Sequence, residues 1–459
     1  MVGRRCTATA ATFSAGAVVA APLFWGWGAA PLPTAPLTGN PVAAAQGFNA
    51  ISLEDTRLAN TESEGPIAVG GDLSFGGDYR VVVYDAGSFT DPADDPATPV
   101  GLLVGGRLNL EGSSGTLSLL EGYAKIGDPA GVEVIGTDAN GADVFPRIVV
   151  EGEGYDSSPS VALNTLQSAE SVMPKPGLID FQDAFDRFGA YSSGLALCEN
   201  AIRLTTADGE EIDPEDIPEG ADVHVYLGPG QNVLNLSAAT FVSLAELTFE
   251  DPPSASSPLV INVDTSDSGG VFDWSSAPLP AGAGALTAPY TLWNFPGASQ
   301  VVIPAGVDTV EGTVYAPTAS VEHYSAANIE GTVVSRSFTQ SSGGPVPPAG
   351  MGQGSALAPM ELHYRPFAAQ LTTCETGPAP SASPSPSPSE PGPDPSPSPE
   401  PSPSPSAPVA PRQHPVPPEQ PRLPVTGASV VASAVAGLVA VSAGAAALII
   451  GRDRRDREE

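Results

Sequence analysis

The strongest constraint on the fold is a short pattern that returns in register. Ala68-Val69-Gly70-Gly71-Asp72-Leu73-Ser74-Phe75 recurs as Leu103-Val104-Gly105-Gly106-Arg107-Leu108-Asn109-Leu110. Val310-Glu311-Gly312-Thr313-Val314 recurs nineteen residues later as Ile329-Glu330-Gly331-Thr332-Val333. A period near 20 residues is that of a solenoid coil, in which each strand stacks its inward side chains on the next turn and Gly permits the corners. Between the echoes run short β-rich segments, such as Arg80 to Tyr84, Ile148 to Val150, Val223 to Leu227 and Leu259 to Val263, broken by Gly, Pro, Asp and Ser. The expected fold is mainly β: a β-solenoid, β-helix-like head, with a β-sandwich as the alternative.

One segment departs from the β pattern. Asp180 is placed to cap a helix, and Phe181, Phe185 and Phe188 recur at i, i+4 and i+7. The spacing predicts one amphipathic α-helix over Asp180 to Cys198, packed on the β body with those rings as core.

The two ends carry processing signals, so the folded part is shorter than the chain. Arg4 and Arg5 precede an Ala-rich apolar stretch, and Ala43-Ala44-Ala45 before Gln46 has the small-residue pattern of a signal-peptidase cut. Residues 1–45 are expected to be a signal peptide and 46–376 the head. Residues 377–421 are dominated by Pro and Ser, hold no apolar run able to form a core, and are expected to be a disordered wall-spanning stalk. Residues 422–459 have the three parts of a sorting signal: Leu423-Pro424-Val425-Thr426-Gly427, an apolar span over 428–450 and an arginine-rich tail over 451–459. The span is long enough for a transmembrane helix, with the arginines on the cytoplasmic side. The combination resembles sortase substrates, which implies that sortase joins Thr426 to peptidoglycan and that the protein is secreted and held in a Gram-positive cell wall.

Charge excludes one class of partner. With 18 Lys plus Arg against 52 Asp plus Glu, the net charge of −34 repels nucleic acid and anionic membranes. Only Lys125 and Lys175 are lysines, too few for a pilin-like subunit that polymerises through them. Cys6 lies in the leader, which leaves Cys198 and Cys374 as the one pair in the mature chain, and an exported pair most simply forms a disulfide.

Candidate sites are few. Asp91 to Asp95 and Asp208 to Asp213 are acidic enough for calcium, but neither has the spacing of a calcium loop, so no metal site is assigned and no cofactor is expected. His224, His323, His363 and His414 stand singly, no Gly-x-Ser-x-Gly elbow occurs, and no catalytic residue is assigned. Phe272, Trp274, Tyr290, Trp293 and Phe295 bring five aromatics into 24 residues. They read either as a ligand patch or as solenoid core.

A family resemblance rests on Phe48-Asn49-Ala50, Glu64 to Asp72, Leu292-Trp293-Asn294-Phe295-Pro296, Glu311 to Pro317 and Glu361 to Phe367. Together they resemble the choice-of-anchor A bacterial surface proteins, which are similar in turn to ice-binding-like adhesive β-solenoids with non-contiguous coils beside one helix. The resemblance implies an extracellular adhesin, not an enzyme, that binds a host, matrix or cell-surface ligand. A passive wall coat, a polysaccharide-active β-helix enzyme and a pilin-like subunit are the other readings.

Overall fold

The β-rich runs assemble as stacked parallel rungs. The structure is a computed structural model in which residues 35–138, 140–341 and 360–375 are described, all within one compact unit. The first ladder runs through Asn232–Ser237, Leu259–Asp264, Thr291–Asn294, the starts of Thr313–His323 and Val333–Gln340, then Ala50–Ser52, Ile67–Val69, Val100–Arg107 and Tyr123–Asp128. The chain thus enters the stack in its middle and builds toward one end. After the helix it restarts at the opposite end and returns, so that Val333–Ser335 pairs with Ala50–Ser52. This is the non-contiguous coil order implied by the resemblance, and the β-sandwich alternative is not found.

Two further ladders complete the coils. The second contains Val271–Asp273, Gln300–Ile303, the ends of Thr313–His323 and Val333–Gln340, and the starts of Thr56–Ser63 and Leu73–Val81. The third joins Val310–Glu311, Ile329–Glu330, Met360–His363, the ends of Thr56–Ser63 and Leu73–Val81, Thr116–Leu119 and Ser160–Leu163, with an antiparallel extension through Asp143–Val150 and Val132–Thr137. Long strands bend from one ladder into the next, which links all the rungs into one curled hydrogen-bonded sheet. A four-stranded sheet over residues 203–249 extends the same core with Leu204, Val223, Val225 and Leu247.

Both sequence echoes are stacked rungs. Ala68 lies beside Leu103 and Val69 beside Val104, while Val310 lies beside Ile329 and Val314 beside Val333. The glycines are needed where coils touch. A Cβ on Gly331 would sit 2.4 Å from the Gly312 carbonyl oxygen, and Gly312 itself has φ +122°.

Helix α1 is a single turn, Ala169–Val172, and α2 spans Phe181–Leu195. Asp180 caps α2 by accepting from the Asp183 amide at 3.0 Å. Phe185 and Phe188 are buried with Ile51, Ala68, Val260, Leu292 and Val334 in a second core on the outer side of the first ladder. That ladder is therefore apolar on both faces, which explains the unbroken burial of Leu259 to Val263.

The α2 C-terminus is held by a column of asparagines on three successive rungs. Asn294 Nδ2 donates to the Ser192 carbonyl at 2.9 Å, Asn262 Nδ2 to the Leu195 carbonyl at 3.0 Å, and Asn235 Nδ2 to the Cys198 carbonyl at 2.8 Å. Each also joins its neighbour: Asn294 Nδ2 donates to Asn262 Oδ1 at 2.8 Å, and Asn262 Nδ2 to Asn235 Oδ1 at 2.7 Å. The column gives the Ser192 and Leu195 carbonyls, which also accept from the Ala196 and Cys198 amides, a second donor, and it gives the Cys198 carbonyl a side-chain donor. Cys198, just past the helix, is joined by a disulfide to Cys374, with their Cα atoms 5.0 Å apart.

Residues 37–45, upstream of the cut expected before Gln46, belong to the packed body. Thr38–Gly39 pairs with Leu371–Thr372, and the Tyr315 hydroxyl lies 3.1 Å from the Pro41 carbonyl. Val42 and Ala45 are buried.

The expected C-terminal transmembrane helix is corrected. Among the described residues no helix is long and apolar enough to cross a membrane, so their fold class is a mainly β curled solenoid with a packed helix. An apolar run fixes how far a helix would reach, not that one forms. The segment 428–450, the motif Leu423 to Gly427 and the Pro/Ser stretch 377–421 lie outside the described residues.

Candidate functional site

The first ladder is covered by α2, which leaves the second and third to meet a partner. On the second, alternation turns one residue in two outward. One outward row reads Asp273, Val302, Glu322, Thr339, Arg57 and Ser74, each beside the next in register. A parallel row reads Val271, Gln300, Ser320 and Ser337. Inward neighbours Val301, Ile303, Val321 and Phe338 are buried. Six rungs at about 4.8 Å spacing make a regular face roughly 24 Å across.

Its side chains are held in place. Gln300 Nε2 donates to Glu322 Oε1 at 2.7 Å, the Tyr324 hydroxyl donates to Glu322 Oε2 at 2.8 Å, and Arg57 Nη1 donates to the Gly112 carbonyl at 3.1 Å. The face is mixed polar, with the charged residues Asp273, Glu322 and Arg57 set among four hydroxyl groups and one amide.

The third ladder is electrostatically different. Glu311 stacks on Glu330, and Glu330 on His363. The His363 ring sits between Glu330 Oε1, 2.5 Å from Nδ1, and Glu361 Oε2, 2.8 Å from Nε2. Burial alone would lower the His363 pKa, but the Glu361 hydrogen bond and the charges of Glu330 and Glu64 raise it above the ordinary value. Burial, with Glu330 and Asp308 nearby, pushes Glu311 up to about 6. Glu62 pairs with Arg80 on the adjoining rungs. Glu62, Glu330 and Glu361 thus have basic partners within the fold.

The expected sites fall as follows. Phe272, Trp274, Trp293 and Phe295 are at most 1% exposed and stack with Phe241 inside the coils, so they serve as core and offer no ligand patch. Their i, i+2 spacing within two strands puts each pair on the inward side. Tyr290 is half-buried against the helix-side core. The acidic loop Asp91 to Asp95 is occupied by ammonium groups: Asp91 Oδ2 lies 2.9 Å from Lys175 Nζ, and Asp94 pairs with Lys125. Among the described residues no group of three His, Cys, Asp or Glu is arranged to hold a metal ion. His323 is buried against the Ala327 carbonyl, and burial lowers its pKa to about 4.

A stacked parallel solenoid with one helix over one ladder and a fixed polar ladder left open defines a binding module. The chain belongs to the ice-binding-like adhesive domain family, whose model matches residues 41–346. That family is an adhesive module and not a catalytic one. A solved ice-binding protein from an Antarctic biological consortium aligns over 74% of this chain and 96% of its own, at 14% identity and a TM-score of 0.25, a likeness too slight to bear on function. No curated protein matches the chain.

Proposed function

We propose that the head is an adhesin that uses the second ladder as its contact surface. Family membership supports adhesion, and the open polar rows favour this ladder over the helix-covered first and the third, where most carboxylates are paired within the fold. A flat face with groups repeating at the strand spacing suits a partner that also repeats, such as a glycan or an ordered surface polymer on a host, matrix or neighbouring cell. Export and display at the cell wall belong to the same proposal and are supported by the sequence alone.

The test is an array of matrix proteins, glycans and bacterial cells probed with the secreted head and with a Ser320→Arg, Ser337→Arg, Thr339→Arg variant. Saturable binding that the triple variant reduces at least tenfold, with unchanged thermal unfolding, is expected. Binding by the variant equal to that of the parent removes the second ladder from the proposal. Silence of the folded parent across the array favours the passive coat.

A further inference from the structure

The two lysines of this chain meet at one place, which the adhesive reading does not use. Lys125, on Tyr123–Asp128, is 0% exposed, an unusual state for a lysine. Its Nζ contacts Asp94, lies 3.4 Å from Asp91 Oδ2, and donates to the Ser171 carbonyl at 2.6 Å and the Ser171 hydroxyl at 3.0 Å. The Ser171 hydroxyl in turn donates to Asp94 Oδ2 at 2.8 Å. Lys175 Nζ holds Asp91 from the other side. Tyr123 closes the site, its ring centre 5.2 Å from Lys125 Nζ.

We propose that Lys125 and Asp94 form an intramolecular isopeptide bond, with Asp91 as the proton carrier. Two opposite charges out of water are costly to keep, and a proton passing from the Lys125 ammonium to the Asp94 carboxylate removes both. The neutral Nζ then attacks the Asp94 carboxyl carbon, with the Ser171 carbonyl orienting the amine. The Ser171 hydroxyl supports the negative charge that develops on Oδ2. Asp91 takes a proton from the attacking nitrogen and returns it to the departing hydroxyl. A C–N bond forms, a C–O bond breaks, and one water leaves. Asp91 ends as it began, a carboxylate paired with Lys175. No other reactant is required, and the burial that holds the groups together favours condensation over the hydrolysis that prevails in water.

The bond would fasten the loop 91–99 to the rung that carries Lys125. Intact-mass spectrometry of the purified full chain, reduced and denatured, reads it directly. The parent is expected to weigh one water less than its sequence, with a tryptic peptide uncut at Lys125 and joined to the one containing Asp94. Lys125→Gln and Asp94→Ala are expected at full mass. Asp91→Asn is expected at full mass while showing the parent's far-ultraviolet circular dichroism. A parent at full mass overturns the proposal, as does a cross-link mapped to Lys175 and Asp91. An Asp91→Asn chain that still loses water within the same time removes Asp91 from the mechanism.

Discussion

Replacing Asn262 by Ala tests whether the asparagine column docks α2 or merely fills space. Asn262 is 4% exposed and makes three hydrogen bonds: to the Leu195 carbonyl at 3.0 Å, to Asn235 Oδ1 at 2.7 Å and from Asn294 Nδ2 at 2.8 Å. Truncation leaves an Asn294 N–H without its partner in the interior, at about 1–3 kcal/mol, and takes one of two donors from the Leu195 carbonyl, which keeps the Cys198 amide at 3.1 Å, at about 0.5–1.5 kcal/mol. Asn235 is only half-buried and can turn to water, so its loss counts for little. The expected destabilisation is about 1.5–4.5 kcal/mol, read as a lower urea midpoint at unchanged slope. Hydrogen exchange supplies the location: amides in the last turns of α2 should lose protection before those of the rungs. A midpoint shift worth less than about 1 kcal/mol, or exchange that rises evenly through the coils, would refute a docking role.

His323 should make the head acid-sensitive. Its folded pKa of about 4 lies below the unfolded value, so the stability it contributes is present above about pH 6.5 and is lost as pH falls toward 4, and His323→Gln should lose less of its thermal midpoint than the parent over that interval. Reduction of Cys198–Cys374, which spans a separation of 176 residues, should cost on the order of 5 kcal/mol in the chain-entropy account, measured by denaturation with and without reductant. A chain begun at Gln46 should unfold at lower temperature than one begun at residue 35, because it lacks the strand Thr38–Gly39 and buried Val42 and Ala45. N-terminal sequencing of the protein recovered from its native host should accordingly find a start upstream of Leu37.

What could be read from the sequence was whatever repeats along the chain. The two Gly-containing echoes marked rungs that lie in register, and Phe185 and Phe188 marked the buried side of α2. Pairings between distant segments left no such trace. Asn235, Asn262 and Asn294 align only once the rungs are stacked, although each follows a run of apolar strand residues, a signal that a search for recurring polar positions would have found. Lys125, Asp91 and Asp94 are joined by a loop whose path no local preference sets. The aromatics left core and ligand patch both open because density in sequence does not report direction, whereas their alternation does. The outward rows of the second ladder combine residues from both halves of the chain, so their composition became visible only with the coil order.

The Cys198–Cys374 link also decides how the head bears a pull. Tension arriving along the chain beyond residue 375 reaches Cys374 and is shared at once with Cys198, where α2 and the asparagine column anchor it to the rungs. The closing strand Leu371–Thr372 therefore cannot be peeled away as a free end, and the rungs between the two cysteines, which include most of the second ladder, cannot be drawn out in sequence while the bond is intact. A fold pulled from this side resists unravelling there for as long as the bond is intact.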